Sequence, residues 1–303
     1  MKQKLIIIQG PTGVGKTDIA LSLAEKLPVE LINADSMQVY RYMDIGTSKP
    51  DSRAQRAVPH HLLSIVNPDE PFDAAQFMMR GRQAIAQIVS RGNHPVVVGG
   101  TGLYIKSLTR GLFSGPAKDE KLRETLGRME TGRLYKKLEQ IDPDAARRIN
   151  DGDSVRIIRA LEVFYLTGET MSQHQHKHSF QDMPYTCLRL CLTREREDLY
   201  RRIEKRVDQM IQQGFIREVR KLLEMGYAPQ LKSLGSIGYK QIAAYLYGTL
   251  SLEDAVFQTK RDTKRFAKRQ FTWLRREPEV VWIALPEKAD EVCERVKNFL
   301  NIA

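Results

Sequence analysis

Cysteine is scarce: the 303-residue chain holds three, Cys187, Cys191 and Cys293. So few thiols in so long a chain exclude a disulfide scaffold. Cys187 and Cys191 interleave with Leu188, Leu190 and Leu192, the pattern of a buried strand in which the thiols act as small apolar side chains. No further Cys or His pair completes a zinc site of known spacing. An apolar run long enough to span a bilayer is also missing. Met1-Lys2-Gln3-Lys4 leads straight into a short apolar strand and a glycine loop, where a signal peptide would need a cleavage site. A cytoplasmic protein without membrane contact is the expectation. No internal repeat or low-complexity tract interrupts the chain. The strand ending in Asp-Glu that hydrolytic motors and helicases use is absent. That leaves kinases of small molecules and other diphosphate chemistry.

What is present is apolar enough to fold. Apolar residues make up 42% of the chain and charged residues 28%, so a packed core is expected. The net charge is +11, and only +2 of it falls in residues 1–100. A polyanionic partner would therefore touch mainly the remaining two thirds. Apolar runs at 5–9, 29–34 and 95–98 alternate with helical spacing at 16–27 and 73–90, the latter opened by Asp73. This rhythm predicts a parallel α/β sheet covered on both faces. From Gly115 to about Gly168 the strand signal disappears, and helices are predicted near 118–129, 134–140 and 154–166. A polar stretch, 171–182, reads as a mobile loop. A strand returns at 185–192, then helices to the end apart from a short strand at 280–283. The expected architecture is a P-loop NTPase-like core (1–114 and 183–303), an all-helical insertion domain (115–182) and a helical C-terminal region.

The sharpest motif is Gly10-Pro-Thr-Gly-Val-Gly-Lys-Thr17, set after a strand and before a helix. Gly10, Thr12, Gly13, Val14 and Gly15 would turn backbone N–H groups toward phosphate oxygens. Lys16 would bind the terminal phosphates, and the Thr17 hydroxyl would ligate Mg²⁺. Asp35 ends the second strand and should face the same crevice, as a general base, an outer partner of Mg²⁺ or a plain turn cap. Gly99-Gly-Thr-Gly102 ends the third strand, where the Thr101 hydroxyl can donate to an anion. Residues 260–276 hold eight basic side chains and one acid, Asp262. Lys260, Lys264 and Lys268 are spaced by four, as are Arg261, Arg265 and Arg269, which places them on one helix face. With no balancing acids in the segment, phosphate-backbone contact is expected. His174-Gln-His-Lys-His178 lacks the partners of a metal site and reads as a solvated segment.

Taken together and in this order, these segments resemble the tRNA dimethylallyltransferases, also called tRNA isopentenyltransferases, over nearly the whole chain. The P-loop is shared with many families. The specific carriers are DSMQVY (35–40), GGTGLY (99–104) and KRQFTWLR (268–275). The resemblance implies transfer of a dimethylallyl group from dimethylallyl diphosphate to N6 of the adenosine 3′ of the anticodon. It implies Asp35 and Thr101 as catalytic groups, with Arg206 joining residues 10–17 at the diphosphate. Ser36, Met37 and Gln38 would hold the flipped base together with Asp35 and Thr101. Arg123, Arg156 and Arg159 would grip the anticodon stem-loop. Further RNA contacts would come from Gly238, Tyr239, Lys240, Lys264, Arg265, Lys268, Arg269, Gln270, Trp273 and Arg275. It also implies a monomer. Two rivals stand beside it: a P-loop kinase of small molecules or nucleotides, and a non-catalytic RNA-binding protein with a nucleotide-sensing P-loop.

Overall fold

The computed structural model describes residues 2–113, 115–178 and 182–302. The chain divides into two compact units, Met1–Thr109 with Pro184–Ala303, and Arg110–Met183. The second unit starts five residues before the Gly115 expected from sequence.

The first unit is built on six parallel strands: β1 Gln3–Gln9, β2 Val29–Ala34, β3 His60–His61, β4 His94–Gly99, β5 Tyr185–Thr193 and β6 Val281–Ala284. Their order across the sheet is β3-β2-β4-β1-β5-β6. The central strand β1 pairs with β4 from Ile6↔Val96 to Gln9↔Gly99 and with β5 from Gln3↔Tyr185 to Gln9↔Cys191. Leu5, Ile6, Ile7 and Ile8 are fully buried, and so is all of β2. Strands covered on both faces need no polar alternation, which is why they read as continuous apolar runs. Around the sheet lie α1 Lys16–Ala24, α2 Ser52–Ala57, α3 Ala74–Ser90 and α4 Gly102–Arg110. Asp73 caps α3, accepting from the N–H groups of Ala75 and Gln76, while the Gln76 side chain returns to the Asp73 N–H. A parallel sheet collects its strand ends on one edge. That edge carries the turns after β1, β2, β4 and β5, drawn from positions 10, 35, 100 and 194.

The helical unit holds α5 Glu120–Gly127, α6 Thr131–Ile141, α7 Pro143–Ala146, α8 Ser154–Thr167 and α9 Met171–His178. Its own core is Leu126, Leu134, Leu138, Ile157 and Leu161. Helix α9 corrects the expected loop. Thr170 and Gln173 form a reciprocal pair at its start: Thr170 N–H donates to Gln173 Oε1 and Gln173 N–H to Thr170 Oγ1. Such a capping pair satisfies two orphan donors and starts a helix in a polar sequence. Residues 179–181 of that expected loop lie outside the described residues.

After β5 the first unit resumes with α10 Arg196–Gln213, α11 Phe215–Glu224, α12 Tyr239–Leu246, α13 Leu252–Leu274 and, past β6, α14 Glu291–Leu300. Ser251 caps α13 by accepting from the Asp254 N–H at 3.0 Å.

Candidate active site

The turn after β1 is a backbone cradle. Helix α1 starts at Lys16 on Gly15, whose φ of 107° only glycine adopts freely and which offers no side-chain cap. The free N–H groups of the first turn therefore point to the mouth of the loop. Val14 is buried, so its share in anion binding can come only from its backbone. The loop is braced from outside by side chains far along the chain. Arg194 Nε donates to the Val14 carbonyl at 2.8 Å and Arg202 Nε to that of Gly13 at 3.0 Å. Thr12 N–H donates to Gln270 Oε1 at 2.8 Å, and Gln270 Nε2 donates to the Gly100 carbonyl at 3.1 Å. Lys16 Nζ folds back to the carbonyls of Gly10 (3.0 Å) and Pro11 (2.9 Å). Burial pulls the Lys16 ammonium down to about 8; Asp35 opposes this and Arg206 adds to it.

Beside the cradle lies a cavity of about 1100 Å³. Thr12, Gly13, Gly15, Lys16, Thr17, Asp35, Gln38, Arg206 and Gln270 all line it, so the expected anion residues other than Gly10 and Val14 share one space with Asp35. Leu31, Ile45, Leu63, Val98 and Met210 supply an apolar part of the wall. Asp35 Oδ1 accepts from the Met37 N–H at 2.8 Å. Arg206 donates to Ser48 Oγ (2.5 Å), Thr12 Oγ1 (3.3 Å) and the Thr47 carbonyl (3.4 Å). Its pKa is lowered, chiefly by burial, with Asp35 acting in the opposite sense. Thr101 has a second use beside the expected one. Its Oγ1 accepts from the Ser36 N–H at 3.0 Å, tying the turn after β4 to the turn after β2. Trp273 closes the same turn: a Cβ on Gly102 would come 2.3 Å from its ring, so glycine is required there.

Sequence reading missed Arg194, Arg202 and Ser48. Arg202 and Arg206 are one helical turn apart on α10, and that i, i+4 spacing was a legible sign of a shared face.

The residues expected to touch RNA divide into several groups. Gln270 is buried and serves the phosphate loop. Tyr239 is 1% exposed, packs edge-on against Phe215 and donates to Glu218 Oε1 at 2.6 Å. Gly238 is buried as well, which leaves Lys240 as the exposed member of that trio. Arg265, Lys268, Arg269 and Arg275 are exposed on or just past α13. The face is not without acids: Lys260 pairs with Asp208 at 2.7 Å and Lys264 with Glu204, both on α10. The balancing charges were invisible because they lie more than 50 residues upstream. In the helical unit, Arg123 and Arg159 are bound to the fully buried Glu162, through contacts of 2.6 and 2.5 Å. Burial raises the Glu162 pKa; Arg123, Arg159 and the Asp119 N–H outweigh it and bring it to about 2. Both arginines are therefore structural as well as cationic. Arg156 is exposed and pairs with Asp153 at 2.8 Å. His174 stacks on Phe113, with centroids 5.5 Å apart, and no group of three metal-binding side chains occurs among the described residues.

Known proteins resemble this chain along its whole length. The family model described as IPP transferase matches residues 38–277, and that of isopentenyl transferase matches residues 3–59. A tRNA dimethylallyltransferase of Geobacter metallireducens is 50% identical, covering 99% of this chain and 98% of its own. The protein of the same name from Geobacter sulfurreducens is also 50% identical, with the same coverage. Among solved structures, the tRNA isopentenylpyrophosphate transferase of Bacillus halodurans is 39% identical, with a TM-score of 0.75 over 99% of this chain and 97% of that one. A eukaryotic dimethylallyltransferase acting on tRNA is 28% identical, with a TM-score of 0.85 over 99% of this chain and 80% of that one. The chain is thus like these proteins in sequence and in fold over almost its full length, and it belongs to the IPP transferase family.

Proposed function

We propose that this protein transfers a dimethylallyl group from dimethylallyl diphosphate to N6 of the adenosine immediately 3′ of the anticodon in tRNA, releasing diphosphate. The observation that carries the reading is the meeting of Lys16, Arg206 and Asp35 in one cavity that also has an apolar wall. Lys16, Arg206 and the backbone of residues 10–15 hold the diphosphate and stabilise it as it leaves. The apolar wall receives the allylic chain, whose carbon carries positive character as its bond to oxygen breaks. The adenine N6 attacks that carbon, the N–C bond forms and the C–O bond breaks. N6 is a weak nucleophile because its lone pair is delocalised into the ring, so loss of its proton must be assisted. Asp35 accepts that proton. Gln38, at the same wall, holds the extruded base, and Thr101 keeps the Asp35–Ser36 turn in place.

The Thr17 hydroxyl, an oxygen donor beside the phosphate loop, fits a hard divalent ion carried mainly by the diphosphate, and Mg²⁺ is the ion of this reading. Bound there, it would neutralise charge on the leaving group. The exposed cations Arg265, Lys268, Arg269, Arg275, Lys240 and Arg156 contact the RNA backbone. No described helix is long and apolar enough to cross a membrane. In this reading the protein acts as a monomer in the cytoplasm.

The test is transfer of radiolabelled dimethylallyl diphosphate to unmodified tRNA with Mg²⁺, beside a parallel reaction with ATP. Label in tRNA, mapping to the adenosine 3′ of the anticodon, is the expected result. ATP consumed without label in tRNA would return the P-loop to a kinase.

A further inference from the structure

Four donors converge on one carboxylate. Glu218, on α11, accepts from the N–H groups of Asp44 (3.0 Å) and Ile45 (2.7 Å) through Oε2. Through Oε1 it accepts from the Gly46 N–H (3.1 Å) and the Tyr239 hydroxyl (2.6 Å). The same loop is packed tightly as well. A Cβ on Gly46 would come 2.2 Å from the Phe215 ring and 2.6 Å from that of Tyr239. Residues 44–46 are thus fixed by hydrogen bonds and by packing together.

The next two residues pass that placement into the cavity. The carbonyls of Thr47 and Ser48 accept from Gln38 Nε2 at 3.1 and 3.2 Å. Ser48 Oγ and the Thr47 carbonyl accept from Arg206 at 2.5 and 3.4 Å. The Arg206 guanidinium and the Gln38 amide, both of residues lining the cavity, therefore hang from the loop that Glu218 secures. Glu218 itself is not among the described residues lining the cavity.

We propose that Glu218 is a positioning residue of the diphosphate site, fixing residues 44–48 and through them the orientation of Arg206 and Gln38. The inference rests on the functional reading above only in taking the cavity to bind diphosphate. A carboxylate is suited to the task because all four groups around it are donors. An amide would turn its NH₂ toward two of them. Tyr239 stays a donor: burial first, then the neighbouring Glu218, holds its hydroxyl pKa well above the ordinary value.

The experiment is calorimetric titration of inorganic diphosphate into wild-type protein, Glu218→Gln, Arg206→Ala and the double variant. Glu218→Gln is expected to weaken binding about tenfold, the effect of losing charge-assisted hydrogen bonds. In the Arg206→Ala background the same substitution should change affinity less than about twofold, because the two act on one chain of contacts. Equal weakening in both backgrounds, or a lowered melting temperature with unchanged affinity, overturns the proposal. Tyr239→Phe removes one donor of four and keeps the aromatic packing. It should weaken binding about twofold to threefold, again only where Arg206 is present, and it decides the matter if Glu218→Gln does not fold. Wild-type protein that ignores diphosphate sinks the functional reading and the proposal together. Wild-type binding with undiminished affinity in the variants sinks the positioning role alone.

Discussion

At the residue scale, Lys16 faces two opposed demands. It must be charged to hold an anion, yet burial removes its ammonium from water and brings its pKa to about 8. Below that pH the side chain is charged; above it the charge is lost and with it, in the proposed reaction, the hold on the diphosphate. The rate constant kcat/KM reports groups of the free enzyme. It should therefore fall as pH rises through about 8. Lys16→Arg substitutes a cation that does not titrate in this range. The variant should show a lower plateau without that decline, and a full pH profile of both proteins checks it. A decline that persists in the arginine variant would assign the titration to another group. Asp35 is separable from binding by the same logic. In the proposed reaction it takes the proton of the attacking amine, so Asp35→Ala should abolish turnover, a loss of about 100-fold or more, while RNA binding by filter retention changes little. Equal losses of rate and of binding would make Asp35 a docking group.

At the element scale, helix α13 has two lives. Its inner side carries Gln270 to the phosphate loop and Trp273 onto Gly102. Its outer side carries Arg265, Lys268 and Arg269 into solvent. The basic run in the sequence showed the second role and hid the first. A glutamine and a tryptophan inside a cationic segment read as further RNA contacts, and their packing on the phosphate loop and Gly102 shows only in the folded chain. The acids on α10 had the converse effect, since Glu204 and Asp208 meet Lys264 and Lys260 only after folding. The strand ends, the P-loop and the Asp73 cap were legible because each depends on residues close in sequence. The placements of Tyr239, Arg123 and Arg159 were not, because their partners Glu218 and Glu162 are long-range. A charge run that does touch a polyanion leaves a mark in salt dependence. Changing Lys264, Arg265 and Lys268 together to alanine should reduce the slope of log K against log salt by about two to three units if each meets a phosphate. Lys264 is the weaker contributor, being already paired with Glu204. An unchanged slope would make the face a merely solvated one.

At the scale of the whole molecule, Glu30 in the sheet unit and Glu162 in the helical unit are buried carboxylates held below their ordinary range. In the sheet unit, hydrogen bonds from Arg91, opposed by burial and aided by Asn93 and His61, hold Glu30 at about 2. In the helical unit, Glu162 reaches about 2 against the pull of burial, through Arg123 and Arg159. Both values lie below the ordinary 4.5. A group depressed in this way contributes its full stability above its unfolded pKa and loses it as pH falls through the folded one. Both units should therefore weaken in the same window, from about pH 4.5 down to about 2. Glu162→Gln separates them. It leaves two guanidinium groups beside a neutral amide in the core of α5 and α8, and breaking a buried pair in this way costs about 3–5 kcal/mol. That loss should already be present at neutral pH and confined to residues 110–183, as hydrogen exchange resolved along the chain would show. On acidification, the variant's helical unit should then change less than the wild type's, while its sheet unit follows the wild-type curve through Glu30. Parallel acid loss in both units of the variant would mean that Glu162 is not the carboxylate that sets the acid limit of its own unit.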